Sequence, residues 1–170
     1  MTRSIIISAR LAALAACLAA GTQLLAQTPT ATRRGLTLDG AKAVAAAASA
    51  EARRLNAGGA IAIVDEGGNL VYLERLENTF PAASTVAVEK ARTAATFRRP
   101  TRDFENAIVK GGRVSLVAVD IMTPLQGGVP ILVDGAIVGA IGVSGAMSAQ
   151  QDDDIATVAS GALAGTSTTN

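Results

Sequence analysis

The stretch GGVPILVDGAIVGAIGVSGAMSAQQDDDIA, residues 127–156, runs a buried hairpin into a Gly-bounded turn and an acidic helix start. Residues 129–133 read as a short apolar strand, and Asp134-Gly135 supplies the two positive-φ positions of a tight hairpin turn. Residues 136–143 read as a second strand, apolar on both faces, which places it centrally in a covered sheet. Gly139 and Gly142 remove side chains where another backbone or a ligand comes close. Ser144-Gly145 ends that strand. Asp152, Asp153 and Asp154 then open the last helix, where carboxylates suit the positive end of the dipole.

The elements upstream follow from spacing and punctuation. Thr37 is the expected cap of a helix reaching about Leu55, with Leu38, Ala41, Val44, Ala45, Ala48, Ala52 and Leu55 at helical intervals and Asn56-Ala57-Gly58-Gly59 as the stop. Residues 60–65 and 69–75 are two strands joined by Glu66-Gly67-Gly68. After a loop at 76–83 carrying Pro81, Ser84 is expected to cap a second helix through Phe97, which Pro100 ends. Thr101 is expected to cap a short helix to about Lys110, with Gly111-Gly112 beyond it. Residues 114–120 are a predicted third strand, 121–128 a loop, and 150–164 the final helix. The order α-β-β-α-α-β-β-β-α predicts an α/β fold with a five-stranded, mainly antiparallel sheet and helices on both faces.

The N-terminus has the layout of a secretory signal. Arg3 and Arg10 give a positive start, residues 11–25 are apolar and Ala-rich, and small residues follow, too short a run for a membrane span. The expected organisation is a signal peptide over 1–26, a disordered leader over 27–35, one domain over 36–164 and a tail over 165–170. Ala26 is the preferred cleavage point and Ala20 the alternative. A lipoprotein box ending at Cys17, the single cysteine, is a minor alternative. The expected location is therefore periplasmic or secreted. Without Arg3 and Arg10, the balance of 15 basic against 14 acidic residues becomes −1. That leaves no electrostatic case for nucleic acid or an anionic membrane surface.

The chain has no histidine. This excludes Ser-His-Asp and Cys-His nucleophile pairs, HExxH zinc sites and histidine-ligated haem. Ser144, in Gly142-Val143-Ser144-Gly145-Ala146, is accordingly a turn residue rather than a nucleophile. The second helix is more suggestive. Val86, Lys90, Thr93 and Phe97 share one side, beside Ala87, Ala91, Ala94 and Ala95. Lys90 is then either a snorkelling lysine or the wall of a pocket that receives an anionic group, and Thr93 either bonds back to its own helix or faces that pocket. Lys90, Arg92, Arg98, Arg99 and Arg102 form an acid-free basic run. It suits a helix C-terminus, and Arg98 or Arg99 could recognise a carboxylate. Asp152, Asp153 and Asp154 suit a helix start; a hard-cation site would need spaced oxygen ligands elsewhere, so no metal site is expected.

Several segments resemble one family, the GlcG/HbpS-like proteins, which include the C-terminal domain of PduO-type cobalamin adenosyltransferases. They are Leu36-Thr37-Leu38 with its Ala-rich helix, AIVDEGG at 62–68, Lys90-Ala91-Arg92-Thr93-Ala94 with Phe97 and Pro100-Thr101, Gly127-Gly128-Val129-Pro130-Ile131, GAIGVSG at 139–145, and Gln151-Asp152 with Ile155-Ala156. The resemblance covers about 36–163. It implies a profilin-like three-layer α/β/α sandwich, homo-oligomers, and links to haem, free iron or corrinoids. The sequence departs from members that ligate haem through histidine. Any axial ligand here would be a weak one such as Thr93, Met122, Met147, Tyr72 or Lys90.

Three readings follow. The first is an exported haem- or tetrapyrrole-binding protein whose small-molecule site draws on Lys90, Thr93, Phe97, Arg98, Arg99, Met122, Gly127, Gly128, Pro130, Ser144 and Gly145. The second is a cofactor-independent enzyme or binder for a small organic acid. There Lys90 is electrophile or base, and the Gly127-Gly128 and Ser144-Gly145 amides hold an oxyanion. The third is a structural homo-oligomer subunit whose Ala-rich faces pack between copies.

Overall fold

A computed structural model describes residues 33–165. The expected signal peptide, Cys17 and most of the expected leader and tail lie outside these residues. The element order is α1 (Leu38–Arg54), β1 (Ala60–Asp65), β2 (Leu70–Arg75), α2 (Ala82–Phe97), α3 (Thr101–Val109), a 3₁₀ turn (Val114–Ala118), β3 (Gly128–Val133), β4 (Ala136–Ser144) and α4 (Ala149–Ser160).

The sheet is antiparallel with strand order β2-β1-β4-β3, and it has four strands rather than the five expected. The missing one is 114–120. Its run of valines favours a strand, but strand preference is realised only against a neighbouring strand. Here the bonds are local: the Val114 N–H donates to Gly112 carbonyl and the Leu116 N–H to Arg113 carbonyl. The segment coils outside the sheet, with Val114 and Val117 exposed.

The decisive hairpin forms as its residues require. Asp134 (φ 49°) and Gly135 (φ 75°) both adopt positive φ, joining Val133 to its partner Ala136. β4 lies between β1 and β3 and is buried from Val138 to Ser144. Pro130 is tolerated because β3 is an edge strand.

Alternation along the strands divides the core in two. Ile61, Ile63, Ile141 and Val143 point to one face and pack with Ala41, Val44, Ala45 and Ala48 of α1 and Ile155, Ala156 and Ala159 of α4. Ala60, Ala62, Val64 and Ala140 point to the other, against Ala83, Ala87, Ala91 and Ala94 of α2. That second interface is built almost wholly of small residues, so helix and sheet approach closely. A Cβ on Gly142 would lie 2.0 Å from the Ala87 carbonyl oxygen. Glycine at 142 is the fit of a helix lying directly on a strand.

Helix starts follow local chemistry in part. The Thr37 hydroxyl accepts the Gly40 N–H at 3.1 Å, and Ser148 accepts the Gln151 N–H at 3.1 Å. Ser84 and Thr101 do not cap. α2 begins at Ala82 after Pro81, and Thr101 is the first helical residue after Pro100. Thr101 has another partner, described below. α4 ends at Ser160, short of the expected Ala164.

Candidate functional site

The polar residues of the fold converge where α2, the start of α3, the Gly127-Gly128 turn and the start of α4 meet the end of β4. Lys90 is 2% exposed. It neither snorkels nor faces open space. Its ammonium donates to Asp152 Oδ2 at 2.9 Å and to the Val143 carbonyl at 2.9 Å. Asp152 is itself 6% exposed, and its Oδ1 accepts the Ala146 N–H at 2.9 Å. Two of the three ammonium donors are therefore committed within the fold.

Asp153 is fully buried. Its Oδ2 accepts from Arg102 at 2.7 Å and its Oδ1 accepts the Gly127 N–H at 3.2 Å. Burial pushes the Asp153 carboxyl above its ordinary range, opposed by the Arg102 charge and the Gly127 N–H. Two adjacent aspartates thus serve two different elements: Asp152 holds α2, and Asp153 holds α3 and the turn.

The turn lies directly on this arrangement. Gly127 has φ 115°, and a Cβ there would meet the Val143 carbonyl at 2.6 Å, Asp152 Cβ at 2.9 Å and Lys90 Nζ at 3.0 Å. The Gly128 N–H donates to Thr101 Oγ1 at 2.9 Å, which occupies the hydroxyl expected to cap α3. The Gln126 N–H donates to Glu105 Oε2 at 2.7 Å, and the Thr123 N–H to Thr93 Oγ1 at 2.8 Å. Thr93 in turn donates to the Glu89 carbonyl at 2.9 Å. Every buried side-chain polar atom among the described residues has a partner.

The remaining sequence candidates occupy two further places. Phe97 meets Phe104 edge to face at 5.3 Å, with the Arg99 guanidinium 5.6 Å from the Phe104 ring. Arg98 takes a left-handed conformation (φ 59°) closing α2, and both arginines are exposed. Met122 is buried in the loop that Thr93 holds. Pro130 is buried in β3. Ser144 and Gly145 stand at the end of β4 under the first turn of α2, where a Cβ on Gly145 would touch Ala83 and Thr79 at 3.1 Å. They lie with α2's beginning, whereas Phe97, Arg98 and Arg99 lie at its end. Tyr72 bonds Glu74 on β2 at 3.4 Å, and Met147 is 85% exposed.

The sequence points to Lys90 and Thr93 as site candidates, but to Thr101 only as a helix cap and to Arg102 only as part of a basic run, and it does not reveal Glu105 or the pairing roles of Asp152 and Asp153. The available signal was a lysine on an apolar helix face, which needs a buried acid. Three consecutive aspartates were the natural source. A shallow groove of about 330 Å³ adjoins this arrangement at Arg102 and is lined also by Glu51, Arg54, Leu55, Asp154, Thr157 and Val158. Among the described residues no group of three or more acidic side chains could hold a metal ion. No described helix is long and apolar enough to cross a membrane.

An antiparallel sheet with helices α1 and α4 on one face and α2 on the other defines a small α/β sandwich domain. Residues 36–160 match the family described as haem degrading protein HbpS-like, and the chain belongs to that HbpS-like family. It is 45% identical to protein GlcG of Escherichia coli K12 over 104 residues, 61% of this chain and 77% of that one. The fold is similar to that of a Streptomyces reticuli HbpS double mutant, with TM-score 0.70 and 30% identity over 81% of this chain and 98% of the other. It is also similar to the protein in a PduOC:haem complex, with TM-score 0.67 and 26% identity over 75% of this chain and 94% of the other.

Proposed function

We propose that this chain is an exported binding protein for a haem-class tetrapyrrole. The observation that carries the reading is the run of aliphatic side chains from the end of α3 to β3. Val109, Val114, Val117, Ile121 and Leu125 are 75, 66, 67, 73 and 47% exposed. A soluble surface rarely strings so many together unless another body covers them. Arg98 and Arg99 follow α2, and Lys110 and Arg113 stand within the run. None of the four forms an ion pair with the described residues.

A tetrapyrrole presents an apolar macrocycle with carboxylate arms, the chemical complement of aliphatic side chains beside guanidinium groups. Family membership and the similarity to a haem-bound PduOC domain support the same reading. With Lys90 committed to Asp152, the carboxylate arms fall to Arg98 and Arg99. With no imidazole in the chain and the Thr93 hydroxyl already bonded on both sides, affinity rests on the macrocycle and its arms rather than on a strong axial ligand.

Haemin titrated into the protein should give a saturable Soret shift. Arg98→Ala with Arg99→Ala should weaken binding by about tenfold or more, the scale of two charge-assisted contacts. A shift that never saturates, or that ignores both substitutions, would refute the reading. The signal-like layout of residues 1–26 supports export, and N-terminal sequencing of the protein recovered from the periplasm or medium should begin at Gln27.

A further inference from the structure

The groove of about 330 Å³ beside Arg102 is built by three helices. The end of α1 supplies Glu51, Arg54 and Leu55, the start of α3 supplies Arg102, and α4 supplies Asp154, Thr157 and Val158. Its size stands at the lower end of small-molecule sites, which run from roughly 300 to 1,000 Å³, so it suits a small ligand.

The charged groups of the groove divide into closed and open ones. Arg54 grips Glu51 in a fork, Nε to Oε2 at 2.8 Å and Nη2 to Oε1 at 2.6 Å, and that pair is closed. Arg102 is only partly engaged. Nη1 donates to Asp153, while Nε and Nη2 have no partner among the described residues, and the side chain is 42% exposed. Asp154 is exposed as well. Its Oδ1 accepts from Gln150 at 2.9 Å, and its Oδ2 is open. Arg102 and Asp154 thus line one groove with unspent donors and an unspent acceptor, yet they form no ion pair with each other. Opposite charges held apart in one groove are the complement of a ligand that carries both.

We propose that this groove binds a small α-amino acid with an aliphatic side chain. The ligand carboxylate takes the Nε–Nη2 fork of Arg102, the edge of a guanidinium that matches two carboxylate oxygens. The ligand ammonium donates to Asp154 Oδ2 and to the Thr157 hydroxyl, which has no partner among the described residues. Leu55 and Val158 form the apolar wall for the side chain. The helix ends agree with this polarity. Arg102 lies in the first turn of α3, where an anion is favoured, and Leu55 caps the end of α1, where a cation is favoured.

Other small ligands satisfy less of the groove. A simple carboxylate gains Arg102 but leaves Asp154 without a counter-charge. A simple amine gains Asp154 but leaves the Arg102 fork empty. An acidic amino acid brings a second negative charge to a groove that already holds Glu51 and Asp154. The site is separate from the proposed tetrapyrrole surface, because Arg98, Arg99 and the exposed aliphatic run do not line it. The two readings therefore stand or fall independently.

Calorimetric titration of the protein with L-valine, N-acetyl-L-valine and L-valinamide separates the two charges. Valine should bind saturably, and each analogue, lacking one charge, should bind about tenfold more weakly, the scale of one charge-assisted hydrogen bond. L-Aspartate should also bind more weakly than valine. Asp154→Asn should weaken valine binding by about tenfold and remove its advantage over N-acetylvaline. Val158→Trp should fill the groove and abolish valine binding while leaving the haemin titration unchanged. Asp154 and Val158 are both exposed, so neither substitution opens the core. Valine that fails to saturate at millimolar concentration, analogues that bind as tightly as valine, or binding that ignores either substitution would overturn the proposal.

Discussion

Lys90 and Asp152 are each almost wholly buried, and each satisfies the other's charge. Taking both from water is expensive, and their attraction offsets that cost only while both are present. Lys90→Ala should leave Asp152 charged and buried, lowering stability by about 3–5 kcal/mol. Lys90→Met with Asp152→Leu should recover most of the loss, because a packed apolar pair carries no desolvation cost. Urea denaturation of the two variants beside the unsubstituted protein measures this. If Lys90→Ala is neutral, the pair is not a structural unit. At this scale the sequence was half legible: a lysine among alanines on a helix face signals a special environment, but nothing in its spacing selects Asp152, 62 residues away, as its partner.

Elements were the most legible level. Period and punctuation place α1, β1, β2, α2, α3 and the β3–β4 hairpin within a few residues, because caps, glycines and prolines act through local backbone geometry. The failure at 114–120 has a physical cause. Val114, Val117 and Val119 suit a strand, but the edge of β3 takes no further partner, and a strand without one falls back on local bonds. Close packing is the other element-scale feature. Gly142→Ala places a methyl group 2.0 Å from the Ala87 carbonyl oxygen, which only a shift of the whole of α2 relieves. The expected cost is about 1–3 kcal/mol or more, measured as a lowered thermal midpoint. An unchanged midpoint would mean that α2 rides more loosely on β4 than its alanines imply.

Across the whole molecule, apolar surface is distributed unevenly. The face under α2 is filled by alanines, whereas Val114, Val117, Ile121 and Leu125 stand exposed on the segment leading to β3, and Leu70 and Leu73 stand exposed on β2. Surface of that kind calls for a cover, either a ligand or a second copy. We expect homo-oligomers at micromolar concentration by light scattering, with Val117→Ser and Ile121→Ser together shifting the population toward monomer. A monomer in the unsubstituted protein would leave the aliphatic run to the ligand alone.

By itself the sequence determined the order of elements, the central place of β4, the tight turn at Asp134-Gly135 and the absence of histidine chemistry. Each of these depends on neighbours a few residues apart or on composition. Tertiary structure alone decided that the sheet stops at four strands, that Thr101 serves Gly128 rather than its own helix, and that Asp152 and Asp153 turn inward to Lys90 and Arg102. Those outcomes depend on which groups meet across the core. A buried charge or hydroxyl takes whichever partner the packing brings within about 3 Å, and local sequence does not encode that meeting.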